Sequence, residues 1–117
     1  MSIPHLKSGE VVQLPLGPAL SGAKTTTLVK TTNLELIRLI VPTGKVIPLH
    51  KAPGEITVQC LQGRVGFTSG VATVELEEGR MLYLDAGTPH SLVGLEDSSL
   101  LVTKLIPSRP SPDPRDA

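Results

Sequence analysis

"PLHKAPGEITVQCLQG", residues 48–63, contains the clearest structural signal in the chain. In the run from residue 55 to residue 61, polar and apolar side chains alternate as far as Cys60, and Leu61 ends the run. A period of two is typical of a half-buried β-strand, because successive side chains of a strand point to opposite faces. The apolar side chains of this segment share one face and are Ile56, Val58 and Cys60. The stretch therefore predicts a strand that lays one face on a hydrophobic core.

The orientation of this strand follows from the cost of burying polar groups. A shift by one residue would turn Glu55 and Gln59 toward the core in place of the apolar side chains. Glu55 is therefore predicted to point away from the interior. A β-bulge could bring Glu55 inward, but nothing else in the sequence indicates a bulge there.

Glycine and proline divide the rest of the chain into short segments, with 11 residues of each type among 117. The segments between them are rich in Val, Leu, Ile and Thr and have the length of strands rather than helices. The predicted strands are 10–14, 25–31, 34–41, 46–49, 56–61, 64–68, 71–76, 80–84, 90–93 and 99–106. Many short strands at regular spacing predict an all-β antiparallel sandwich or barrel.

Composition argues against several classes of function. Lys plus Arg and Asp plus Glu both total 11, which gives a formal net charge of zero, whereas a nucleic-acid binder needs a basic face. The longest apolar stretches, 34–41 and 100–106, each contain a charged residue and are far too short to span a bilayer. The N-terminus lacks the apolar core of a signal peptide, and one cysteine excludes an intramolecular disulfide. We therefore expect a cytoplasmic protein without nucleic-acid or membrane partners.

The chain length suits one domain, which we place at residues 1–106. The remaining segment, 107–117, contains four prolines and no hydrophobic anchor, and we expect it to extend without packing. Within the domain, segment 80–84 is apolar on both faces, which suggests coverage by another sheet or another subunit. We therefore expect a homodimer, the commonest soluble oligomer.

Residues 44–63 resemble the first motif of the cupin family. That motif runs Gly, five residues, His, one residue, His, three or four residues, Glu, six residues, Gly. Gly44, His50 and Gly63 occupy the matching places. The resemblance implies an antiparallel double-stranded β-helix, the cupin jelly-roll barrel.

A second cupin motif is matched by residues 79–94. Gly79, Gly87 and His90 agree with it in order and spacing. Asp85 stands where the family has proline, and Gly94 stands where it has asparagine. We expect Asp85 to cap the turn at 85–89 by accepting backbone hydrogen bonds.

The metal ligands of the family are the two His and the Glu of the first motif and the His of the second. In an alignment without gaps, the missing His falls on Ala52 and the Glu on Ile56. The resemblance thus leaves His50 and His90 as an incomplete metal site. Zinc needs about four ligands, and non-haem iron two His and a carboxylate. No cofactor is firmly predicted, and a divalent transition metal at the two histidines remains an alternative.

The resemblance places both histidines on the barrel interior. The ligand-binding positions that we predict there are His50, His90, Ala52, Ile56 and Val58. Our first interpretation is a small cupin that binds an organic molecule in an apolar cavity, without a tightly bound metal. One alternative is a metal-dependent enzyme of the dioxygenase or isomerase type, in which waters, substrate or a rotated Glu55 complete the site. Another is an assembly or sensory module with a degenerate cavity. No catalytic residues are assigned.

Overall fold

The structure is a computed structural model that describes residues 5–14, 23–70 and 72–107. Nine strands run through these residues, and none of the described residues is helical. The strands are β1 (Thr26–Lys30), β2 (Leu34–Val41), β3 (Val46–His50), β4 (Ile56–Gln62), β5 (Arg64–Ser69), β6 (Ala72–Glu77), β7 (Met81–Leu84), β8 (His90–Gly94) and β9 (Ser98–Leu105). Each falls on a segment predicted from the sequence, with ends that differ by a residue or two. The described part of the chain accordingly has no helix long and apolar enough to cross a membrane.

The predicted strand at 10–14 is wrong. Its backbone is irregular, and Val11 is 91% exposed. The preceding residues form a turn in which Lys7 accepts a bond from the Glu10 amide and donates its own amide to the Glu10 carboxylate. A short apolar alternation becomes a strand only where a neighbouring strand completes its hydrogen bonds, and no such neighbour is described for this segment.

Two antiparallel sheets form the barrel. One has five strands in the order β1-β2-β9-β4-β7, and the other has four in the order β3-β8-β5-β6. Strands that are distant in sequence are neighbours in both sheets, as in a jelly roll. The predicted fold class, an all-β cupin-like jelly roll, is confirmed.

The core lies between the inner faces of the two sheets. The side chains that are almost completely buried there include Val41, Val58, Val65, Phe67 and Leu100. Burying each of them contributes about 1.5–3 kcal/mol relative to leaving it exposed. In β4 the burial alternates as predicted, since Ile56, Val58 and Cys60 are buried and Glu55 is exposed.

Two glycines at positions of the family motifs, Gly63 and Gly94, are explained by close backbone contacts. A Cβ atom at Gly63, whose φ is +89°, would overlap the Asp97 carbonyl. A Cβ atom at Gly94 would overlap the carbonyl of Pro42. Both positions therefore require a residue without a side chain, and the glycine in place of the usual asparagine serves packing at the barrel wall.

Candidate functional site

His50 and His90 face each other at one end of the barrel. They are partners in the β3–β8 ladder, and their ring centroids lie 4.2 Å apart with an angle of 61° between the ring planes. His90 is buried, whereas His50 is exposed and lies at the mouth. The two imidazoles form a polar pair that runs from the solvent into the core.

A β-bulge turns His50 toward the interior. Ile47 and His50 of β3 are opposite Leu92 and His90 of β8, so β3 advances three residues where β8 advances two. Strict alternation would place Ile47 and Leu49 on the same side and send His50 outward. The extra residue reverses this pattern, and Leu49 is 70% exposed. Pro48 is tolerated at the bulge because β3 is an edge strand, where no ladder bond needs its missing N–H.

Both rings are held in the same tautomer. The Nδ1 of His50 lies 2.9 Å from the Pro48 carbonyl, and the Nδ1 of His90 lies 2.9 Å from the Thr88 carbonyl. A carbonyl oxygen only accepts, so each Nδ1 carries the proton and donates. In the neutral form the lone pair is then on Nε2 of each ring. The pair therefore offers two hydrogen-bond acceptors to a bound molecule.

The surroundings of His90 favour its neutral form. Burial lowers the pKa of His90 below its usual value, and electrostatic interactions with His50 and Lys104 lower it further. The bond to the Thr88 carbonyl opposes this shift. On its other side, His90 stacks on Phe67, with centroids 5.6 Å apart and planes 9° from parallel. At neutral pH the buried ring is thus an uncharged acceptor fixed in one orientation.

The histidines open onto a cavity of ≈ 150 Å³. Apart from the histidines and Lys104, its wall is apolar. The lining residues are Ile37, Leu39, Ile47, His50, Ala52, Ile56, Val58, Phe67, His90, Leu92, Val102 and Lys104. The structure therefore brings the five predicted ligand-binding residues onto the wall of one cavity. That they bind a ligand stays a prediction.

Sequence reasoning missed Lys104. Its neighbours in the sheet are Glu35 of β2 and Ile56 of β4, and it lines the cavity beside Ile56. The signal was present, because Leu100, Val102 and Lys104 alternate in β9 just as the inward residues of β4 do. A lysine at the end of an inward row is easily read as a solvent-exposed charge.

Lys104 belongs to a short ion-pair network. Its Nζ lies 3.7 Å from one carboxylate oxygen of Glu35, whose other oxygen lies 3.6 Å from the Nζ of Lys30. One carboxylate is therefore shared by two ammonium groups. Lys30 is opposite Glu35 in the β1–β2 ladder, so all three side chains follow one row across the sheet.

The residues present do not fit a resident metal ion. Among the described residues, no three His, Cys, Asp or Glu side chains lie close enough together to hold one. Ala52 and Ile56, on which the gapless motif alignment places the family's other two ligands, have no donor atoms in their side chains. Lys104 adds a positive charge next to Ile56. Two imidazoles beside an ammonium group fall short of the ligand sets of zinc and non-haem iron.

Glu55 lies on the outside of the barrel, where its side chain is hydrogen-bonded. Its carboxylate accepts a hydrogen bond from the hydroxyl of Tyr83, which also lies 2.9 Å from Asp85 Oδ1. Both acceptors raise the pKa of Tyr83. The cap predicted for Asp85 is corrected accordingly. The Asp85 side chain accepts a hydrogen bond from the Tyr83 hydroxyl and does not cap the turn. The turn is closed by the backbone carbonyl of Asp85, which accepts from the Thr88 amide at 3.2 Å.

Cys60 lies in the core and does not line the cavity. Its Sγ is 3.5 Å from the carbonyls of Gln62 and Gly63. Burial raises the pKa of the Cys60 thiol, which keeps it protonated and unreactive. This agrees with its interpretation as a small core residue.

Solved structures share the fold over most of the chain. A conserved protein of unknown function from Streptococcus pyogenes is 23% identical, with 93% of this chain and 97% of that chain covered and a TM-score of 0.73. A cupin superfamily protein from Desulfitobacterium hafniense is 17% identical, with coverages of 83% and 95% and a TM-score of 0.71. At these identities the likeness establishes the fold alone.

An enzyme is among the structural neighbours. Salicylate 1,2-dioxygenase from Pseudoaminobacter salicylatoxidans is 17% identical, with a TM-score of 0.64. The alignment covers 68% of this chain but 25% of the dioxygenase.

No curated protein matches the sequence. A family model, Cupin_2, described as the cupin domain, matches residues 37–104. Since this match spans more than half of the chain and includes both histidines, the chain belongs to the cupin domain family.

Proposed function

We propose that this protein binds a small organic molecule in the barrel cavity. The observation that carries the proposal is the pair of histidines, each with Nδ1 tied to a carbonyl, on the wall of an otherwise largely apolar cavity. Ligand sites of this kind combine apolar walls, which supply affinity, with a few placed polar groups, which fix orientation. Here the two Nε2 lone pairs would accept hydrogen bonds from a donor on the ligand.

The size of the cavity limits the ligand. Its volume is ≈ 150 Å³, and an apolar cavity of about this size in another protein accommodates benzene. The bound portion of the ligand is therefore one ring or a short branched chain. Any larger part would project past His50 into solvent, because His50 lies at the mouth.

The test compares toluene with benzyl alcohol, which differ by one hydroxyl donor. We expect both to bind the native protein, and benzyl alcohol to bind about fivefold more tightly because its hydroxyl donates to a histidine Nε2. His90→Phe keeps the stacking on Phe67 but removes the buried acceptor, so this advantage should shrink. Ala52→Leu, which fills the cavity, should weaken both ligands. Isothermal titration and melting curves report all of these effects.

The alternative function is that of a metal-dependent enzyme of the dioxygenase or isomerase type. What favours it is the shared tautomer of the two histidine rings, which leaves both Nε2 lone pairs available to an ion. The donor set is incomplete, so we derive no catalytic step through a metal. Elemental analysis of protein purified without chelator or metal-affinity resin separates the two functions. One equivalent of retained metal would overturn the binding proposal, whereas failure of every small molecule to bind would favour an assembly or sensory module.

A further inference from the structure

We infer that the ligand is a small monocarboxylate that also carries one hydrogen-bond donor: its apolar body fills the cavity, its carboxylate pairs with Lys104, and its donor bonds a histidine Nε2. This inference rests on the proposed function of the cavity as an organic-ligand site. Histidines aside, Lys104 is the only ionisable residue among the described residues that line the cavity. An otherwise apolar wall with one ammonium group at its edge matches a molecule with one anionic end.

The charge of the Lys104 ammonium group is only partly neutralised by the ion-pair network. Lys30 and Lys104 share the single carboxylate of Glu35, so the row carries one positive charge in excess. Their distances to Glu35, 3.6 Å and 3.7 Å, exceed the length of a direct charged hydrogen bond, which is about 2.7–2.9 Å. An ammonium group has three N–H donors. Lys104 can therefore turn toward an incoming carboxylate without giving up a short bond.

The two histidines cannot attract an anion in their neutral form, so the preference for a carboxylate depends on Lys104. In the neutral form each Nε2 is an acceptor, because each Nδ1 proton is committed to a carbonyl. Two acceptors disfavour a carboxylate, which is itself acceptor-only. A preference for anions at this site must therefore come from Lys104. Without Lys104, the site should prefer a neutral ligand with N–H or O–H groups over an anion of the same shape.

The experiment uses three probes of nearly identical shape and different charge: benzoate, benzamide and benzamidine. Isothermal titration at low salt should give the order benzoate, then benzamide, then benzamidine, with about tenfold between the first two. Lys104→Gln should reverse the order of benzoate and benzamide, because the amide N–H groups can still donate to Nε2. Pentanoate and pentanamide repeat the comparison with a flexible chain.

Lys30→Gln is the matched control. It removes the same charge from the same row, but Lys30 does not line the cavity, so the order of the probes should be unchanged. Glu35→Gln removes the competing carboxylate and should tighten benzoate binding. Amides that bind as tightly as their acids to the native protein would overturn the inference and leave the proposed function standing. The same holds if Lys104→Gln leaves the preference for acids intact. If neither acids nor amides bind, the inference fails, and the proposed function fails with it when toluene and benzyl alcohol do not bind either.

Discussion

His50 and His90 are opposite each other in the β3–β8 ladder, and each donates its Nδ1 proton to the carbonyl two residues before it. The same local hydrogen bond therefore fixes both histidines in the tautomer with the proton on Nδ1. The environments differ, because His90 is buried against Phe67 and His50 is at the mouth. Because burial lowers the pKa of His90, protonating this ring should cost stability.

The first prediction is that acid destabilises the fold through His90. Burial lowers the pKa of His90 in the folded state, while in the unfolded chain a histidine titrates near its ordinary pKa of about 6.5. Below that pH the unfolded state binds more protons, so stability falls as pH decreases from about 6.5 toward the folded pKa and levels off beneath it. The slope contributed by this one group is at most about 1.4 kcal/mol per pH unit.

Urea unfolding between about pH 5 and pH 8 measures this slope. His90→Asn should flatten the profile, since its amide can still donate to the Thr88 carbonyl but does not titrate. His5→Asn, which alters an exposed histidine in irregular structure, is the matched control for the substitution. An unaltered slope in His90→Asn would show that other ionisable groups cause the acid sensitivity.

The sequence predicts the barrel well because, along most strands, the alternation of polar and apolar residues matches the alternation of exposed and buried side chains. In β4 the alternation places Ile56, Val58 and Cys60 inward and Glu55 outward, as found. The failure at 10–14 has a different cause, since strand formation there depends on a pairing partner that local pattern does not reveal. Pattern reports which faces are apolar, whereas pairing is a tertiary property.

The site is harder to predict for the same reason. Alternation alone would point His50 away from the cavity, and only the bulge in β3 turns it inward. The family resemblance supplied its position where the residues themselves did not. Lys104 was overlooked because its importance comes from its neighbours, Glu35 and Ile56, which are distant in sequence and adjacent in the sheet.

The second prediction concerns the C-terminal tail, residues 108–117, which lies outside the described residues. Deleting it should leave the melting temperature nearly unchanged, because its sequence, SRPSPDPRDA, offers little apolar area to bury. Differential scanning calorimetry of the shortened and full chains checks this. A fall of about 5 °C or more, roughly 1 kcal/mol for a domain of this size, would show that the tail docks.

The third prediction is that the protein forms a homodimer through the outer face of the five-stranded sheet. Met81 and Tyr83 of β7 are 62% and 53% exposed, and Leu105 at the end of β9 is 50% exposed. Light scattering at micromolar concentration should give twice the chain mass of 12.3 kDa. Met81→Glu should shift the equilibrium toward monomer, whereas Val74→Glu, in the other sheet, should not. A native mass of one chain would contradict the prediction.

The last prediction tests whether Ala52 and Ile56 occupy vacated metal-ligand positions. Ala52→His with Ile56→Glu should complete a set of three imidazoles and a carboxylate, which suits divalent transition metals. The native protein should bind nickel weakly, because two imidazoles replace too little of the ion's hydration, and the double variant should bind it much more tightly. Metal at about a hundred times its dissociation constant would then stabilise the variant by about 2.7 kcal/mol.

Lys104 makes the expected result more specific. It is opposite Ile56 in the β4–β9 ladder, so its ammonium group would pair with the introduced carboxylate and compete with the metal. The same pairing should reduce the cost of burying that carboxylate in the metal-free variant. Adding Lys104→Gln should therefore tighten nickel binding further while lowering the melting temperature without metal. Isothermal titration with nickel and melting curves with and without metal measure both effects. Tight one-to-one nickel binding by the native protein, lost on Glu55→Ala, would show instead that Glu55 leaves Tyr83 and reaches the cavity.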